Sequence, residues 1–271
     1  MSEPLQAQAS RGVSPAALLV AGAFFMEFLD GTVIATALPD MAKTFGVEAV
    51  DLNIGISAYL ITLAVLIPAS GWIAERFGAR TVFSLALLIF TLSSFFCGLT
   101  HSVTQFVLMR VIQGIGGAMM VPVGRLVVLR TTPKDQLIKA IATLTWPALV
   151  APILGPPLGG FITTWASWHW IFFLNVPLGV IAILFALRMM PDQKPEERRP
   201  FDVVGFCSVG VAMLCLVAGL EVFSQQNMNP MQGIVMIAVG LLSLLLAVRH
   251  LLRTPAPLIQ LRTLATHSFR I

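Results

Sequence analysis

PAALLVAGAFFMEFLDGTVIATAL, residues 15–38, carries only two charged side chains, Glu27 and Asp30. A helix of about 20 apolar residues spans the ~30 Å hydrocarbon layer of a bilayer. This run is also too long for the apolar region of a signal peptide, roughly 7–15 residues, so it reads as a retained membrane span. Working outward with the same test gives further spans near 54–73, 81–100, 104–127, 138–163, 170–188, 203–223 and 231–252. Composition agrees, since 57% of the 271 residues are apolar and 11% charged, where a soluble domain has about 25% charged. The fold class expected is an all-α polytopic membrane protein of about eight spans.

Lys and Arg set the orientation, because loops rich in them stay cytoplasmic. Arg11 precedes the first span, and Arg76 and Arg80 separate the second from the third. Arg125 to Lys139 separate the fourth from the fifth, and Arg188 to Arg199 the sixth from the seventh. With Arg249 and the basic residues after it, 15 of the 17 fall on one side. Lys43 falls on the other, and Arg110 lies within a span. Both termini are therefore expected in the cytoplasm. A basic chain whose charges flank membrane spans implies a lipid bilayer and no nucleic acid as partner. Residues 1–14 read as a cytoplasmic N-terminus and 189–202, rich in proline and charge, as a cytoplasmic linker. Residues 253–271 read as a connector leading toward a further span near Phe269. Trp165, Trp168 and Trp170 read as anchors at the outer interface.

Cys97, Cys207 and Cys215 lie in apolar runs without disulfide or metal-ligand spacing and read as packing residues. No HExxH or GxSxG is present, and His101, His169, His250 and His267 sit in loops or at span ends, where they read as solvated. Neither a metal site nor an enzyme is indicated.

Charge inside a membrane costs about 2.5–3.5 kcal/mol per residue on insertion scales, so buried ionisable groups are the first place to look for function. Glu27 and Asp30, three residues apart, share a helix face and together could take up a proton or cation. The competing reading places Asp30 near the outer interface, bonding a neighbouring helix. Arg110 cannot shed its charge and needs an anion or carbonyls within the bundle; Glu27 or Asp30 could supply it. Gln113 shares its face, and Gly114, Gly116, Gly117 and Ala118 either serve that site or let another helix approach. In the fifth span Ala151, Gly155 and Gly159 form a small-residue stripe. Pro147, Pro152, Pro156 and Pro157 predict a bend that faces protein or a cavity. In the turn GWIAERFGAR, Gly71 ends a helix, Gly78 makes a tight turn, and Glu75, Arg76 and Arg80 are placed to bond helix termini.

In this order the signals resemble the major facilitator superfamily, in particular its fourteen-span drug:proton antiporter branch. Leu29 to Pro39 is similar to that branch's LDxTVVNVALP, with Asp30 on the acidic position and Ala35 replacing Asn. Gly71 to Arg80 resembles the GxLADRxGRR loop, with Glu75 for Asp, Arg76 and Gly78 matching, and Ala79 departing. Arg110, Gln113, Gly114, Gly116 and Ala118 lie on RxxQGxGxA, whose arginine the resemblance associates with proton transfer. Gly155, Pro156, Gly159 and Gly160 lie on the GPxxGG antiporter core, with Ala142 and Ala151 replacing upstream glycines. Trp168 to Gly179 is similar to WRWIFLINVPIG, with His169 for Arg.

The resemblance implies that 15–188 form an N-terminal six-helix bundle and 203–252 two further transmembrane helices. A C-terminal bundle would follow, and without it or a second copy the cavity lacks its opposite wall. The implied function is proton-coupled efflux of small hydrophobic or cationic drugs by alternating access, with no cofactor beyond the proton gradient. The implied location is a bacterial inner membrane. A transporter of a specific metabolite and a truncated, non-transporting membrane protein are the alternatives.

Overall fold

The computed structural model describes residues 14–191, 199–224 and 229–260. The N-terminal stretch with Arg11, Lys194 and Arg198 of the linker, and the tail with Arg262, Phe269 and Arg270 lie outside the described residues.

Eight helical segments are long and apolar enough to cross a membrane, and no strand occurs among the described residues. The first, α1 (Pro15–Phe45), starts on a proline, whose missing N–H is no loss in a first turn. It ends where Gly46 turns into the left-handed region at φ 68°. At 1.5 Å per residue its 31 residues make about 46 Å, so it continues past Pro39 and the hydrocarbon edge into a turn where Lys43 pairs with Asp40 at 2.8 Å. The charges that close the apolar run do not close the helix. Asp30 lies at the middle of this helix.

Hydrophilic residues were likewise absorbed at the ends of the second span, which runs over Ala49–Phe77. It comprises α2 (Asn53–Leu66), a 3₁₀ turn at Ile67–Ala69 and α3 (Ser70–Phe77). Pro68 removes a helix donor there, and Ser70 Oγ donates to the Ile67 carbonyl at 2.6 Å. Gly71 therefore sits in the first turn of α3, inside this span. The third and fourth spans are α4 (Ala79–Cys97) and α5 (Val103–Thr131), and α6 (Leu137–Trp165) passes through all four of its prolines. The sixth span is split into α7 (His169–Phe173) and α8 (Asn175–Met189). Pro177 has no N–H to return to the Phe173 carbonyl, which accounts for the break. The last two are α9 (Val203–Ser224) and α10 (Pro230–Arg253).

Helix α1 packs along α6, α5 along α4 and α2, and α8 along α4 and α1; α9 pairs with α10 and leans on α2. The α5 glycines make these approaches possible. A Cβ at Gly116 would lie 2.7 Å from the Ala86 carbonyl oxygen of α4, and one at Gly114 2.8 Å from Thr62 Cβ of α2. The apolar core between α1 and α8 falls into two clusters, one around Phe24, Phe83, Phe90 and Met120, the other around Ile34, Met41, Phe106 and Phe172, while a third, small cluster of Val209, Ala247 and Leu251 joins α9 to α10. Between the first two lies a layer of polar side chains.

The tryptophans divide. Trp165 and Trp170 are exposed as interface anchors should be, but Trp168 is buried. It stacks on His169 at 3.8 Å and donates to Thr44 Oγ1 at 3.0 Å. Cys97 is buried, whereas Cys207 is exposed on the outer face of α9, so packing does not describe it.

Candidate transport site

Helices α1 and α5 cross at the bundle centre, where their polar residues have no solvent to turn to. Asp30 is 2% exposed and Arg110 fully buried. Arg110 Nη1 donates to Asp30 Oδ2 at 2.7 Å and to Gln113 Oε1 at 2.7 Å. Gln113 Nε2 donates to Asp30 Oδ1 at 3.1 Å, so arginine, glutamine and aspartate close a ring. A fourth member comes from the break before α8: Asn175 Nδ2 donates to Asp30 Oδ1 at 2.8 Å and to Ser94 Oγ at 3.0 Å. Ser94 in turn donates to the Phe172 carbonyl at 3.0 Å, and Cys97 Sγ approaches Gln113 Oε1 at 3.8 Å. The Arg110 guanidinium lies 4.3 Å from the centre of the Tyr59 ring, a cation–π contact. Its anionic partner is thus Asp30, not Glu27.

Glu27 stands one turn away in a different environment. It is buried, yet its Oε2 has no hydrogen-bond partner among the described residues, and the same holds for Tyr59 Oη and for Arg110 Nε and Nη2. Buried polar atoms are ordinarily paired. Gly117 makes room for these groups, since a Cβ there would lie 2.9 Å from Tyr59 Oη and 3.3 Å from Glu27 Oε1. The centre therefore holds two acidic groups of contrasting character, one pinned by three donors and one without a countercharge.

Spacing in the sequence pointed to Glu27, Asp30, Arg110 and Gln113, and the fold brings all four together. It did not point to Tyr59, Ser94 or Asn175. Asn175 was the readable one, being a lone amide in the apolar run FFLNVPLG ahead of a proline.

The other singled-out residues lie apart from this layer. Gly155 and Gly159 are buried where α6 meets α1, and a Cβ at Gly159 would collide with Thr36 Oγ1 and lie 3.0 Å from the Val33 carbonyl oxygen. Gly160 would meet nothing, and Pro156 faces outward. In the loop, Gly78 takes φ 87° between α3 and α4. Glu75 meets Arg130 at 3.4 Å with both half exposed, worth at most about 1 kcal/mol. Arg76 is exposed, and Arg80 donates to the Leu187 carbonyl.

Beside this loop, Trp72 Nε1 donates to the Arg199 carbonyl at 3.0 Å and its ring lies 4.7 Å from Phe201. Asp202 accepts from the backbone amides of Gly205 at 2.8 Å and Leu258 at 3.2 Å. His250 Nε2 lies 2.8 Å from the same carboxylate, so this histidine is an anchor rather than a solvated span end. Burial pushes the Asp202 carboxyl up, but the two amides and His250 together outweigh it and hold it below the usual aspartate range.

Residues 20–265 match the Major Facilitator Superfamily. The chain belongs to that superfamily. It is 40% identical over 253 residues to the putative multidrug resistance protein MdtD of Citrobacter koseri, and equally to that of Escherichia coli O139:H28. Those alignments cover 93% of this chain and 54% of each relative, so the chain spans about half the length of the curated relatives it matches. Among solved structures, the fold is similar to the human organic anion transporter MFSD10 (TM-score 0.58, 18% identity, 79% of this chain and 57% of that one). It is also similar to a D-xylose–proton symporter (TM-score 0.58, 17% identity, 87% and 68%). This major facilitator chain is accordingly a multi-pass integral membrane protein of a transporter family rather than an enzyme, with bacterial relatives.

Proposed function

We propose that this chain forms the N-terminal part of a proton-coupled exporter of hydrophobic or amphipathic drugs, in which Glu27 carries the exchanged proton. The observation that supports it is the contrast between the two acidic groups. Asp30 is held as the counter-ion of Arg110 by that arginine, Gln113 and Asn175. Glu27 is buried with an unpaired Oε2, and an unpaired carboxylate in such a place is costly unless neutral. A proton on Glu27 removes that cost, and a cationic substrate nearby offers a second way to remove it, so proton and substrate compete. Tyr59 Oη stands beside Glu27, both facing Gly117, where it can bond the carboxyl in either state. The multidrug resistance naming of the 40% identical relatives favours drugs over a single metabolite.

Alternating access needs a second wall. Helix α6 turns a broad apolar face outward, with Trp146, Leu149, Ile153 and Phe161 all more than half exposed. A C-terminal bundle or a second copy is proposed to close over that face, where the exposed prolines would find protein instead of lipid. The test is acidification-driven uptake of a fluorescent hydrophobic cation into everted vesicles bearing the protein. Glu27→Gln should abolish the dependence on the proton gradient while leaving the folded protein in the membrane. Full gradient-driven uptake by that variant would overturn the assignment.

A further inference from the structure

Between α1 and α8, at the end assigned to the cytoplasm by charge, a groove of about 390 Å³ opens sideways from the bundle. Its floor is Leu19, Met26 and Ala182, and its walls include Leu18, Ile181 and Phe185. Two small residues keep it open. Gly22 faces it, with nothing within 4 Å of where a Cβ would stand, and Ala182 opposes it. Along α1 the lining runs from Pro15 to Met26 and along α8 from Leu178 to Met189, in each case about 16 Å at 1.5 Å per residue. That is the depth of one leaflet, half of ~30 Å.

The mouth of the groove carries a charge of one sign. Arg188 lies one turn beyond Phe185 on the same face of α8, is exposed, and has no ion-pair partner among the described residues. The neighbouring Arg80 is engaged with the Leu187 carbonyl. We infer that this groove is a binding site for one anionic phospholipid of the cytoplasmic leaflet, its acyl chain lying between Leu18 and Phe185 past Gly22 and its phosphate on Arg188. An apolar slot one leaflet deep with the unpaired Arg188 at its headgroup end fits an acyl chain under an anionic headgroup. The N-terminal residues 1–13, SEPLQAQASRG between Met1 and Val13, are too polar to fill it.

The site is tested in proteoliposomes of phosphatidylcholine containing a minor fraction of phosphatidylglycerol with a photoreactive diazirine in its acyl chain, or the same probe on phosphatidylcholine. Labelled residues are mapped by mass spectrometry. Labelling should concentrate on residues 18–22 and 181–185, with phosphatidylglycerol favoured over phosphatidylcholine. Arg188→Gln should lower that preference about fivefold, the effect of one basic residue at an anionic surface. Gly22→Leu, which fills the groove, should remove the labelling at both segments. If that variant does not fold, the map and the Arg188→Gln result decide alone. Labelling spread evenly over the outward faces, equal labelling by the two headgroups, or an unchanged preference in Arg188→Gln would overturn the inference. So would labelling that appears only after residues 1–13 are removed, or cross-links joining two copies through 181–185; these would assign the groove to the chain's own N-terminus or to a dimer.

Discussion

Replacing Asp30 by Asn leaves Arg110 charged, fully buried and without its anion. Removing one member of a buried ion pair costs about 3–5 kcal/mol, because the remaining charge is uncompensated. The Tyr59 ring at 4.3 Å already contributes in the wild type and returns nothing extra, and Arg110 Nε and Nη2 have no partners among the described residues to fall back on. Asp30→Asn should therefore destabilise by about 3 kcal/mol or more. Arg110→Gln strands the carboxylate in the same way, although Gln113 and Asn175 still donate to it, which places it at the lower end of that range. The double variant Asp30→Asn/Arg110→Gln removes both charges from a layer that neutral amides can satisfy. Its loss should therefore fall about 2–3 kcal/mol short of the sum of the two single losses, leaving it close to either single variant and giving a coupling at the upper end of the 0.5–3 kcal/mol seen for contacting residues. Reversible unfolding in mixed micelles, run as a double-mutant cycle, measures this. Additive losses, with a coupling below about 0.5 kcal/mol, would refute the claim that these two residues form the paired core of the site.

Two adjacent glycines should behave oppositely: Gly159→Leu should separate α6 from α1 and lower expression and thermal stability, whereas Gly160→Leu, with open space at its Cβ, should melt like the wild type. Gly78→Ala forces a side chain into φ 87° and should cost about 1–2 kcal/mol in the same unfolding assay. Asp202 is held below its ordinary range, so its contribution is present above about pH 4 and fades as acid carries the pH down through the folded value. A variant with Trp72 as its one tryptophan should report this as an acid-induced emission change near Phe201, and Asp202→Asn should abolish the pH dependence.

Much of the architecture was readable because the bilayer demands long apolar runs, and eight such runs separated by basic loops leave little choice. Span ends were less legible: hydropathy stops at Asp40 and Lys43, whereas hydrogen bonding carries α1 to Phe45. Trp168 is hidden from sequence for a related reason, since an indole near a span end faces lipid or protein according to the packing of a distant residue, Thr44. Within the site, a three-residue spacing places Glu27 and Asp30 on one face but cannot say which meets Arg110. That depends on how α1 and α5 are rotated against each other. Asn175 entered the network through a helix break made by Pro177, and His250 became an anchor by meeting Asp202, 48 residues earlier.

The most direct test of the central claim is infrared difference spectroscopy of the purified protein at neutral pH, reading the carbonyl band of a protonated carboxylic acid in an apolar setting. The account predicts one such band, absent from Glu27→Gln and kept in Asp30→Asn/Arg110→Gln. A band that survives Glu27→Gln and disappears with Asp30 would contradict it, placing the proton on Asp30.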